Sequence, residues 1–89
     1  MSDIIRLMNV EIGDNPYHLI FTGFIPRKDP NREYEFDFIG TELGVNTYLP
    51  NEAIKELCEQ LLKKFGYAPY DEDKAKQILK NNSEFYINF

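Results

Sequence analysis

Cys58 and His18 are the one thiol and the one imidazole in the chain, the smallest set that could make a nucleophile and its base. Their surroundings argue against that use. Cys58 falls on the apolar side of a helical repeat, where a free cysteine is usually a buried, inert packing residue. His18 alternates with apolar residues, which assigns it to the outer face of a strand. One histidine and one cysteine cannot supply a structural zinc site of the usual kind within one chain. The sequence has no phosphate-binding glycine loop and no dinucleotide fingerprint. Asp71-Glu72-Asp73 lacks the glycine and distal glutamate of a calcium loop. The expectation is therefore a non-enzymatic protein with no catalytic residue, no metal and no cofactor.

Carboxylates are the plentiful chemical group. Glu33, Glu35 and Asp37 alternate with Tyr34, Phe36 and Phe38, so a strand over residues 33–39 turns three aromatics inward and three acids outward. Successive acids on such a face stand about 6.5–7 Å apart. A row of that spacing can imitate a nucleic-acid backbone and occupy a basic cleft. It can equally be the solvated side of a strand, although like charges along one face cost some stability. Asp71, Glu72 and Asp73 form a second acidic cluster, placed where a helix start favours acids. Both clusters are candidate partner-binding residues. Arg27, Lys28 and Arg32 lie in a proline-bounded stretch near Tyr34 and could touch phosphate, but three bases on an acidic domain would hold nucleic acid weakly.

The elements that must position these groups follow from periodicity. Ile54, Leu57, Cys58, Leu61, Leu62 and Phe65 recur at i, i+3 and i+4, which predicts a helix over residues 51–65. Pro50 precedes it and Gly66 follows it. A second helix runs from the Asp71 cap to about Asn81, with a narrow apolar face of Ala75, Ile78 and Leu79 and a left-handed cap at Asn81 or Asn82. Strands are expected at 4–12, 17–25, 33–39 and 85–89, with a short one at 45–49. In the first, Ile4, Met8, Val10 and Ile12 share one face, and Ile5 and Leu7 the other. Gly13-Asp14-Asn15-Pro16 makes a turn and the first hairpin. Gly23 marks a bulge or a close backbone approach. Residues 26–32 read as an exposed loop, and residues 40–44 as another. The order β-β-β-(β)-α-α-β gives an α+β fold, an antiparallel sheet of four to five strands covered on one face by one main and one short helix. The last strand must return to the sheet, and the place beside the first is one position open to it; periodicity leaves the strand order undetermined. That strand carries no charged residue to guard its edge, which leaves room for a homodimer.

The chain of 89 residues, 43% hydrophobic and 28% charged, suits one globular domain over residues 1–89 with a modest core. Its net charge of −5 disfavours direct binding to nucleic acid or anionic membrane and favours a basic protein partner. No segment approaches the length of a membrane span, the first residues lack the pattern of a secretion signal, and one cysteine suits a reducing compartment; a cytoplasmic protein is expected. In size, acidity and lack of catalytic motif the chain resembles the small phage inhibitors that disable host nucleases, anti-CRISPR proteins among them, and bacterial immunity proteins. That resemblance is of type, and no motif carries it. It implies an inhibitor that blocks a basic site on a nucleic-acid-acting partner. The alternative is a structural or accessory subunit that docks by a sheet edge or by the aromatic connector Tyr67-Ala68-Pro69-Tyr70.

Overall fold

The computed structural model describes residues 2–39 and 41–88. Gly40 and Phe89, expected in a loop and at the end of the last strand, lie outside them. The elements are β1 (Ser2–Ile12), β2 (His18–Ile25), β3 (Asp29–Ile39), β4 (Glu42–Val45), α1 (Asn51–Phe65), α2 (Glu72–Asn81) and β5 (Glu84–Asn88). All strand pairs are antiparallel, in the order β4-β3-β2-β1-β5. The α+β fold is as the periodicity requires, and of the positions open to it β5 takes the one beside β1.

The apolar phase of β1 shifts partway along. Ile5, Leu7 and Val10 are fully buried, while Met8 and Asn9 are exposed. A bulge between Leu7 and Asn9 adds one residue, so Ile5 and Leu7 reach the same face as Val10. The expected division of these side chains between two faces is corrected by that one residue. Gly23 is why the bulge fits. It pairs with Leu7, and a Cβ there would collide with the Arg6 carbonyl oxygen and stand 2.8 Å from the Leu7 Cα.

The starts of β1, β2 and β5 differ from expectation by one or two residues; β3 and β4 move further. β3 begins at Asp29, because Ile25 pairs with Asp29 and Phe24 with Glu33. Pro30, Asn31 and Arg32 are looped out of the ladder between those pairs, and only residues 26–28 turn the hairpin. The fourth strand is Glu42–Val45 rather than 45–49, since its register is set by pairing with Phe36 to Ile39. Leu49 is buried without being part of a strand.

α1 has the expected bounds, with Glu52 in its first turn, Lys63 and Lys64 in its last, and Gly66 at φ 76° just beyond, a conformation that costs glycine little. Its Ala53, Leu57, Leu61 and Phe65 are buried; Ile54, Cys58 and Leu62 flank them, partly exposed. The helix joins Leu19, Phe21, Tyr34, Phe36, Phe38, Phe85 and Ile87 in one core, each fully buried large side chain contributing about 1.5–3 kcal/mol. The Phe65 ring meets Phe21 edge-on, centroids 5.1 Å apart. The sheet curls, so that α1 touches both edge strands. At the β5 edge, Gln60 donates to the Tyr86 carbonyl at 2.6 Å and accepts from its N–H at 3.4 Å, and Glu56 accepts from the Asn88 N–H at 2.9 Å. β5 carries one charge of its own, Glu84 at its first residue; along the rest of the edge the guard comes from α1, and a second copy pairing there would have to displace it.

α2 packs on β1 through Ala75 and Leu79. Asp71 caps it by accepting from the Lys74 N–H at 3.0 Å. Its C-terminus is not closed by a left-handed residue: Asn82 sits at φ −142° and its side chain donates to the Ile78 carbonyl at 3.0 Å.

Candidate functional site

With both helices on one side, the other face of the sheet is open, and cross-strand register decides which residues share it. Glu33 lies opposite Phe24, Glu35 opposite Thr22 and Asp37 opposite Ile20. Across β2, Phe24 lies opposite Arg6, Thr22 opposite Asn9 and Ile20 opposite Glu11. The centre of the face is therefore a half-buried strip of Ile20, Thr22 and Phe24. The acidic row of β3 walls it on one side, and Arg6, Asn9 and Glu11 wall it on the other. Glu42 extends the acidic side on β4, opposite Ile39.

The charges on this face are unevenly matched. Glu33 and Glu35 are exposed and form no side-chain ion pair among the described residues. Asp37 accepts from the His18 ring Nε2 at 3.2 Å. Arg6 is held by Glu84 at 3.1 Å. The other lysines and arginines lie on the helices and the β2–β3 end of the sheet. Two carboxylates about 7 Å apart in water repel by about 0.6 kcal/mol. The row is thus tolerable, and Glu33 and Glu35 have no ion-pair partner among the described residues.

The second acidic cluster is not part of this surface. Asp71 is the α2 cap. Glu72 accepts from the Ile12 N–H at 2.9 Å and stands 3.9 Å from Lys76. Asp73 is exposed. α2 packs against the core side of β1, so the sheet separates this cluster from Glu33, Glu35 and Asp37. Two of its three acids have structural work that explains their presence.

The basic stretch is also largely engaged. Arg27 reaches Asp3 at 3.1 Å. Arg32 stacks over the Tyr34 ring, 5.1 Å from its centroid. Tyr34 is itself buried, so it offers no free face to a base. Lys28 borders a shallow hollow of about 310 Å³ with Arg27, Tyr48 and Pro50.

Cys58 and His18 are held apart. His18 lies on the open face with Asp37, while Cys58 lies on α1, where its Sγ donates to the Thr41 carbonyl at 2.9 Å. Partial burial raises the Cys58 thiol pKa above its ordinary value, and Glu59 adds to the effect. Cys58 is less buried than its helical position suggested, because it faces an open groove of about 560 Å³ between α1 and β4 that Leu43, Ile54 and Leu62 also line. No group of three metal-ligating side chains occurs among the described residues, and no buried side-chain polar atom there lacks a partner.

Sequence reasoning found the acidic row and missed its setting. The strip Ile20, Thr22, Phe24 was visible as the alternate positions of β2. Its placement beside the acids, with Glu11 and Glu42 at the margins, depends on register and on the bulge in β1. Comparison with protein-family models, with curated proteins and with solved structures finds no match to this chain.

Proposed function

We propose that this chain is a small acidic binding protein without enzymatic activity, which inhibits a nucleic-acid-acting partner by covering a basic site on it. The observation that carries the reading is the open face, where Glu33 and Glu35 stand exposed without an ion-pair partner among the described residues, and where Arg6, held by Glu84, is the one lysine or arginine beside the strip. Such a surface attracts a lysine- and arginine-rich cleft, speeds encounter with it and repels nucleic acid itself. The partner is a protein such as a nuclease, in the manner of phage anti-defence and immunity inhibitors, met in the cytoplasm. No helix among the described residues is long and apolar enough to cross a membrane. Asp71, Glu72 and Asp73 are at most peripheral to this surface.

The alternative, an accessory subunit docking through the aromatic connector, draws on Tyr67, which is 71% exposed. A competition assay separates the two. The protein is immobilised and partners are captured from a host extract, then challenged with heparin and with duplex DNA. Release of a nuclease by both polyanions supports the inhibitor reading. A retained partner that ignores polyanions and is lost on Tyr67→Ala supports the subunit reading.

A further inference from the structure

The open face is not only charged, and its mixed character narrows what can sit on it. A surface that merely copied a nucleic-acid backbone would need no apolar centre, yet Ile20, Thr22 and Phe24 run between two polar walls. We propose that this face receives a basic amphipathic helix of the partner. The helix lies along β2 and β3 with its apolar side on Ile20 and Phe24 and its lysines or arginines over Glu33, Glu35 and Asp37. This deepens the inhibitor reading and rests on it.

The spacings agree. Glu33 to Asp37 spans about 13 Å, four residues of strand. Positions i, i+4 and i+8 of a helix span about 12 Å, and the flexible stems of lysine or arginine absorb a difference of about 1 Å. The molecule already uses this match. Glu56 and Gln60, one helical turn apart on α1, meet Asn88 and Tyr86, two residues apart on β5. Charge selects the occupant. A second copy would set acid against acid, and nucleic acid or an anionic membrane would be repelled in the same way. A basic helix satisfies the acidic wall of β3 and the strip, and Arg6 on the other wall is already paired with Glu84.

The test uses a labelled peptide of about 16 residues, long enough to form helix, with lysines at i, i+4 and i+8 and leucines at i+3 and i+7. A scrambled peptide of the same composition controls for charge. Fluorescence anisotropy reads affinity for the full chain, and amide chemical shifts locate the site. The amphipathic peptide should bind about tenfold tighter than the scrambled one, with shifts on Ile20, Thr22, Phe24, Glu33 and Glu35. Phe24→Ser should erase that advantage and leave scrambled-peptide binding unchanged within about twofold. Thr22→Gln, which places a longer neutral polar side chain mid-strip beside Glu35, gives the same readout if Phe24→Ser fails to fold. Equal affinity for both peptides overturns this inference and leaves the acidic-row reading standing. Shifts confined to the groove between α1 and β4 overturn it too. Binding of neither peptide overturns both readings.

Discussion

Replacing Gly23 with alanine tests the structural element on which the open face depends. The new methyl carbon would collide with the Arg6 carbonyl oxygen and lie 2.8 Å from the Leu7 Cα and 3.0 Å from the Arg6 carbonyl carbon. All three are backbone atoms, so no rotamer change relieves the clash. β1 must retreat by about 1 Å to restore ordinary contact distances. It is held by β2 on one side and β5 on the other, so a retreat of that size stretches two or so ladder bonds past about 3.5 Å. At about 1 kcal/mol each, that costs about 2 kcal/mol, and overpacking of the site adds at least about 1 kcal/mol. The lower chain entropy of unfolded alanine returns about 0.4–1 kcal/mol. The net loss is about 2–3 kcal/mol, which lowers the melting temperature by about 10–20 °C for a chain of this size. Urea denaturation followed by circular dichroism should show the midpoint falling with the slope unchanged. A variant as stable as wild type would falsify the close crossing of β1 over Gly23. It would also undo the bulge that turns Asn9 and Glu11 toward the strip.

Three further outcomes follow from the packing and the titrating groups. Leu61→Ala, at a fully buried position of α1, should cost about 2–5 kcal/mol; an unmoved urea midpoint would mean that this helix face is not in the core. Glu56→Ala with Gln60→Ala uncovers the β5 edge, and light scattering should then show concentration-dependent self-association that wild type lacks; a double variant that stays monomeric as concentration rises would show that the edge needs no guard. Burial, then Glu59, raises the Cys58 pKa above 9.0, and burial, then Cys58, raises Tyr70 above 10.0. A raised folded value means stability that is complete below the unfolded pKa and lost as pH climbs through the folded one. The urea midpoint should therefore fall above pH 9, and Cys58→Ala should flatten part of that fall; a midpoint that rises with pH would reverse the sign.

Local signals carried some elements completely and others not at all. α1 was legible because its apolar spacing, end charges and Gly66 all act within one segment. The inward and outward sides of β3 were legible for the same reason, since Glu33, Glu35 and Asp37 need only a period of two. β1 was misread at Met8 because a bulge is a property of two strands, and its one local trace, Gly23, lies on the partner strand. β4 was displaced because four residues carry too little pattern to fix a register that Phe36 to Ile39 impose. The acids of α2 could not be sorted from those of β3 by sequence. Only the fold shows that Glu72 spends itself on the Ile12 N–H while Glu33 and Glu35 have no such duty. The guard on β5 was hidden for a similar reason, because Glu56 and Gln60 meet it from more than twenty residues away.

The central claim is that Glu33, Glu35 and Asp37 are a binding surface, and charge reversal tests it most directly. The triple variant Glu33→Lys, Glu35→Lys, Asp37→Lys is first shown to be folded by circular dichroism, as it should be, since these side chains lie on the face away from α1. It is then titrated against the captured nucleic-acid-acting partner beside wild type, at low and at physiological salt. Each exposed pair contributes up to about 1 kcal/mol, so reversing three should weaken binding about a hundredfold and abolish inhibition. Wild-type affinity should itself fall as salt rises, because exposed charges are screened beyond about 8 Å at physiological ionic strength. A folded triple variant that binds and inhibits as well as wild type would contradict the claim and reduce the row to a solvated strand face.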